Sequence, residues 1–252
     1  MKNQILKSAL ALSAVLVLVS CGSSSNSTEA EHGEGAENTE IPTNVQNAID
    51  STTSTLSEEL ANTLSYMGNE ERLAYDVYNR LYAEWGTKQF TNIASKSEIK
   101  HIQSVQKLVQ KYKMDDQASF TNVDLPALGY MYTPVESMKA GTYDISKIQR
   151  LYDDLIAVGV ASEVEALKVG CTVEVVDITD LDEYIGIAEQ SNASDVVEVF
   201  DYLRKGSYNH YWAFDKGLKN KGVSDGCCTW NELCHPEYPQ NENEKGNGKG
   251  RK

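Results

Sequence analysis

The chain is short of positive charge. It carries 23 lysines and arginines against 37 aspartates and glutamates, a formal net charge of −14. Nucleic acid needs a basic footprint to meet its phosphates, so no nucleic-acid partner is expected. An acidic surface draws cations instead. Long apolar runs are missing too. Ala9 to Val19 is almost continuously apolar, but it falls well short of the ~20 residues that span a bilayer. No stretch alternates like a strand and no repeat is visible. A glycine-rich phosphate loop and a G-x-S-x-G elbow are absent, which takes weight from nucleotide-binding and serine-hydrolase functions. Cysteine is scarce, and paired C-x-x-C knuckles are lacking, which removes a standard zinc module and a rubredoxin-like iron centre.

What is present begins with a targeting signal. Lys2 and Lys7 precede the apolar run, in the proportions of a secretory leader. Leu18-Val19-Ser20-Cys21 then resembles the bacterial lipobox. Residues 1–20 are expected to be a lipoprotein signal peptide, with Cys21 the lipidated residue that anchors the protein to a membrane of the cell envelope, at the outer membrane or cell surface. Residues 21–56 are rich in Ser, Thr, Asn, Glu and Gly and read as a flexible tether that includes His32. The domain is expected over 57–220, followed by a Cys-containing segment and polar tail over 221–252, disordered from about Pro236.

Inside that domain the apolar residues recur with helical period. The segment 57–85 places Leu60, Leu64, Met67, Glu71, Ala74, Tyr78, Leu81 and Trp85 on one stripe. The segment 91–113 aligns Ala94, Glu98, His101, Val105, Leu108 and Tyr112. Residues 162–189 align Leu167, Cys171, Glu174, Ile178, Leu181 and Ile185, with Asp177 on the same face. Residues 194–218 align Val196, Phe200, Leu203, Ser207, His210 and Phe214. A shorter helix, 145–158, sits in the long connection between the second and third. The expected fold is all-α, a four-helix bundle whose long crossover carries a short extra helix, the ferritin-like arrangement among bundle topologies.

Each stripe is interrupted near its middle by a metal-ligand type of residue. The set is Glu71, Glu98, His101, Glu174, Asp177 and His210. Unpaired buried carboxylates cost several kcal/mol each. The ordinary counter-ions, Arg72, Arg80, Lys100, Lys107, Arg204 and Lys205, all fall off the stripes. Bound metal would neutralise the acids, and carboxylates with two imidazoles suit iron or manganese.

The segments EERLAYDVY, FTNIASKSEIKHIQSV, ALKVGCTVEVVDITDL and LRKGSYNHYWAF resemble the bacterial and archaeal family called domain of unknown function 2202, placed in the ferritin-like superfamily. Glu71-x-x-Ala74-x-x-x-Tyr78 is similar to the first helix of rubrerythrins, Glu98-x-x-His101 to their second, and Glu174-x-x-Asp177 to the third-helix pair of acids. The resemblance implies a carboxylate-bridged di-iron site. At the fourth helix the general pattern is Glu-x-x-His, whereas this chain reads Ser207-Tyr208-Asn209-His210. One bridging carboxylate is missing there, and Asp177 restores the count of acids.

Two further features stay open. Tyr78 follows Glu71 by two turns, where packing is the expected role and a hydrogen bond to a ligand, or a radical, the alternative. Cys227, Cys228, Cys234 and His235 invite a zinc reading that their spacing does not fit. Disulfides are expected, with Cys171 tied to one of the three C-terminal cysteines. The functional expectations are a dinuclear iron or manganese protein acting as a ferroxidase or peroxide-reducing oxidoreductase, or else a metal-binding or structural lipoprotein without turnover. A homodimer stays open.

Overall fold

The computed structural model describes residues 40–112, 135–143 and 145–240. The leader, the lipobox with Cys21, and His32 lie outside them. Among the described residues the chain is all-α, with no strand and no helix long and apolar enough to cross a membrane.

Helix α1 spans Thr43–Asp50, α2 Glu58–Trp85, α3 Lys88–Ile93 and α4 Ile99–Tyr112. Helix α5 spans Ser146–Gly159, α6 Glu163–Gln190 and α7 Ser194–Asn220. The starts of α2 and α6 follow from local chemistry. The Ser57 and Ser162 hydroxyls accept the N–H groups of Leu60 and Glu165, each at 3.1 Å. Glu58, Glu59, Glu163 and Glu165 add negative charge in the first turns, where the helix dipole favours it. Helix α2 stops at Gly86, whose φ of 67° is left-handed and suits a residue without Cβ.

The helix expected over 91–113 is not one uninterrupted α-helix. A π turn, Ala94–Glu98, joins α3 to α4, and the Ile99 N–H bonds back to the Ala94 carbonyl. Inserting one residue rotates everything after it by about 100°, which resets the phase of the helix at the residues that carry its polar stripe. Turns of this kind recur at functional sites.

The tether expectation also changes over its last third. Residues 43–50 form α1, whose Val45 and Ile49 are buried, and the Asn44 side chain donates to Glu198 Oε1 at 2.7 Å. At the other end, residues 226–240 pack on α7. The Tyr211 hydroxyl donates to the Leu233 carbonyl at 2.7 Å, and the Trp212 indole N–H to the Pro239 carbonyl at 3.1 Å. Cys171 is bonded to Cys227 and Cys228 to Cys234. The C-terminal cysteines are thereby used in disulfides, not in a zinc site.

Two apolar cores form. One gathers Leu60, Leu64, Val105, Leu108, Leu181 and Phe200 with α1. The other gathers Val77, Tyr78, Phe90, Leu167, Tyr211 and Phe214 with α5 and the C-terminal segment. Along each long helix the sequence passes from one core to the other through a short buried polar interval. Those intervals together make a polar layer.

Candidate metal centre

The polar layer contains Glu71 on α2, Glu98 and His101 at the π turn and the start of α4, Glu174 and Asp177 on α6, and Ser207 and His210 on α7. None is more than 6% exposed. Five of the six expected ligands fall into two sets whose ligand atoms lie within 4.8 Å of one another: Glu71, Glu98 and His101, and Glu98, Glu174 and His210. Glu98 belongs to both. Its Oε2 is 3.1 Å from His101 Nδ1, which also lies 3.0 Å from Glu71 Oε2. Its Oε1 is 3.1 Å from His210 Nδ1, which lies 3.4 Å from Glu174 Oε2. The two imidazole rings are 5.6 Å apart between centroids.

Asp177, the sixth expected ligand, lies in the same layer. It is buried beside the site but belongs to neither set, and its Oδ2 accepts the Ser207 hydroxyl at 2.6 Å. Ser207 therefore faces the aspartate, and the two occupy one corner of the layer together.

The electrostatics are those of too many acids in too little solvent. Burial, then the charges of Asp177 and Glu98, push Glu71 well above the usual carboxylate range. Burial and Glu174 push Asp177 up to about 8, against the Ser207 hydrogen bond. Burial raises Glu174 as well, with His210 opposing it. Glu98 goes the other way: burial acts against its charge, but His210 and His101 hold it below the usual range. Burial likewise opposes the His210 cation, yet Glu174 and Glu98 hold it well above the usual imidazole range.

The donor set fits a hard or borderline divalent metal, with oxygen and nitrogen ligands and no thiolate. Two ligand atoms of these sets have no hydrogen-bond partner, Glu71 Oε1 and His210 Nδ1. The latter sits close to two carboxylates without the angle of a hydrogen bond to either. Glu71 Oε1, and His210 Nδ1 once its proton is released, are the donor atoms that a pair of cations would use.

Neighbouring groups brace this arrangement. The Tyr78 hydroxyl donates to Glu174 Oε1 while its ring packs 5.2 Å from Phe214 and 6.0 Å from Phe90, so the packing role and the hydrogen bond occur together. At Gly206 a Cβ would overlap the His101 ring, so only glycine admits the imidazole at this depth. Nothing in the sequence marks Gly206 or Glu70, and the stripe places Glu70 and Arg72 off the core face. Both are buried. Arg72 does not neutralise the site: it donates to the Lys139 and Thr142 carbonyls at 2.8 and 2.7 Å and lies over the Tyr143 ring. The one signal for it was position, since Arg72 and Asp76 are one turn apart and form a buried pair.

A family model described as an uncharacterized protein domain, DUF2202, matches residues 60–230. The uncharacterized protein MJ0754 of Methanocaldococcus jannaschii is 38% identical over 167 residues, which cover 66% of this chain and 79% of that protein. The crystal structure of hypothetical protein MJ0754 from Methanococcus jannaschii superposes with a TM-score of 0.56 at 37% identity, over 68% of this chain and 86% of that one. The family match takes in every residue of the polar layer from Glu71 to His210, and the chain belongs to the DUF2202 family.

Proposed function

We propose that this chain is a ferritin-like four-helix protein that holds a dinuclear iron or manganese centre on Glu71, Glu98, His101, Glu174 and His210. The observation that carries the reading is Glu98, whose two oxygens each serve a different imidazole-carboxylate set. One carboxylate shared between two ligand groups can hold two cations near each other, as two-metal sites need. Iron there would supply one-electron redox chemistry toward oxygen or peroxide. The protein's own part is to keep five ligand side chains dry, fixed and unevenly charged, with Tyr78 and Gly206 setting the rotamers of Glu174 and His101.

Elemental analysis after exposure to ferrous iron or manganese tests it. About two ions per chain are expected in the wild type. Glu98→Ala is expected to lose both, because each set loses a member, with helix content unchanged. Two ions retained in that variant would place the metal elsewhere.

A second reading, a binder with little turnover, is favoured by the Ser207–Asp177 hydrogen bond. That corner supplies no ligand atom from α7 besides His210. Slow oxidation of bound ferrous iron by oxygen, faster by peroxide, fits this reading, and rapid oxidation by oxygen returns the oxidase.

The lipobox completes the proposal with a site of action at the cell envelope, the chain anchored through lipidated Cys21. Since one acyl chain binds marginally, a second is part of it. Cys21→Ala should release the protein to the soluble fraction, and an unlipidated wild type by mass spectrometry would end this part.

A further inference from the structure

Glu70, next to the ligand Glu71, faces a different neighbourhood. It is 3% exposed, and both carboxylate oxygens are buried with no hydrogen-bond partner. Across from it on α6 stand Asp177 and Asp180, both near enough to repel its charge. Glu174, Asp177 and Asp180 recur every three residues, so each is about 4.5 Å further along the helix axis. Exposure grows along the series, from 2% at Glu174 and 5% at Asp177 to the half-buried Asp180. Carboxylates therefore follow one another at about one-turn spacing from the ligand set toward the surface, with Glu70 near Asp177 and Asp180.

The outer end meets a pocket. Tyr66, Tyr184 and the exposed Lys147 of α5 line a surface pocket of about 780 Å³, and Glu58, Glu59 and Glu183 add negative charge to its walls. The Lys147 ammonium lies 4.6 Å from the centre of the Tyr66 ring, which packs edge-on against Tyr184. Tyr66, Tyr184 and Lys147 also feel the charges of Glu70 and Asp180. Tyr66 lies one turn before Glu70 on α2 and Tyr184 one turn after Asp180 on α6, so the two rings stand between the pocket and the carboxylates. A buried carboxylate with neither oxygen partnered, Glu70, beside acids that lead to an acidic pocket, suits a mobile cation.

We propose that Glu70, Asp177 and Asp180 form a transit site that passes a divalent cation from this pocket to the ligands of the polar layer, with the Lys147 ammonium as the gate it displaces. The proposal rests on the metal-binding reading above. Glu70 belongs to neither ligand set. Its loss should therefore slow loading and leave the final complex unchanged.

The experiment mixes the full chain rapidly with Co(II) and follows the ligand-field absorption, whose amplitude reports occupancy and whose time course reports loading. Glu70→Gln keeps the shape and removes the charge, and should load about tenfold more slowly or worse, the scale of lost electrostatic guidance, with wild-type amplitude and spectrum. Asp180→Asn, half-buried and away from the ligands, should show the same slowing and covers the case in which Glu70→Gln folds poorly. Lys147→Met should load faster. Unchanged rates in both carboxylate variants overturn the transit site while the metal centre stands. Reduced amplitude in Glu70→Gln makes Glu70 a ligand and also overturns it, and slower loading in Lys147→Met overturns the gate. A wild type that binds no Co(II), iron or manganese overturns the metal centre itself and the transit site with it.

Discussion

Asp177→Asn is expected to stabilise the chelator-treated protein, and to do so only above acid pH. Asparagine keeps the shape of the side chain and an oxygen to accept the Ser207 hydroxyl, and it removes the charge. Burial and Glu174 raise the folded-state value of Asp177 from its ordinary 3.8 to about 8. A carboxylate raised in the folded state leaves stability intact below its unfolded pKa, and that stability is lost as pH rises through the folded pKa. The window therefore runs from about pH 4 to about pH 8. At pH 7 the gap is about three pH units, a cost of about 4 kcal/mol at 1.36 kcal/mol per unit. For a domain of this size that corresponds to a rise in Tm of about 10 °C in the asparagine variant. The assay is denaturant unfolding of both proteins at pH 4, 5.5, 7 and 8, with disulfides intact and chelator present. The wild type should weaken steadily along the series while the variant changes less, so that the curves diverge with pH. Manganese in place of the chelator should lift the wild type most at the alkaline end, where cations relieve the largest repulsion. Parallel curves at all four pH values would refute the placement of Asp177 among like charges, and a variant weaker than wild type at pH 7 would reverse its sign.

Gly206→Ala should displace His101 and weaken metal binding by about tenfold or more with helix content retained, and wild-type affinity by calorimetry would show that the ring has room to move. Tyr78→Phe keeps the ring among Phe90 and Phe214 but removes the donor to Glu174, so the Co(II) spectrum should shift while stability falls by about 1–2 kcal/mol; an identical spectrum would separate the tyrosine from the centre. Replacing Cys171 and Cys227 together by serine opens a link between residues 56 apart, and should cost roughly 4 kcal/mol in unfolding by the chain-entropy account. A loss under about 1 kcal/mol would mean that the C-terminal segment is held by its other contacts, led by Tyr211 and Trp212.

The helices were legible because the apolar period is strong. The stripe residues of α2, α4, α6 and α7, Leu60 to Phe214, are buried nearly throughout, and the polar interruptions lie in one buried layer. Other features had no such signal. The π turn at Ala94–Glu98 is made from ordinary helix-forming residues, and a single inserted residue leaves the period on either side intact. Helix α1 rests on two apolar anchors, Val45 and Ile49, in a polar stretch, too few to show a period. Glu70 and Arg72 lie beside the stripe, and their burial depends on α5 and the 139–143 segment closing over them, a tertiary effect with no local trace. The tie from Cys171 to the C-terminus followed from cysteine parity and position, whereas the choice of Cys227 depends on how the 226–234 loop turns against Asp215, whose Oδ1 accepts the Cys227 N–H at 3.0 Å.

In most helical domains the ends fray and the middle holds longest. The polar layer reverses this order, because the most strained electrostatics sit halfway along the four long helices and the two apolar cores lie outside them. Such a domain has its soft section at the waist. Occupancy of the waist then decides whether the halves behave as one cooperative unit or as two that open separately. The two halves are also unequal, since the Cys171–Cys227 link closes only the half that holds α5 and the C-terminal segment. The half built on α1, Val105 and Phe200 has no disulfide among the described residues and is the one that an empty waist leaves to open first.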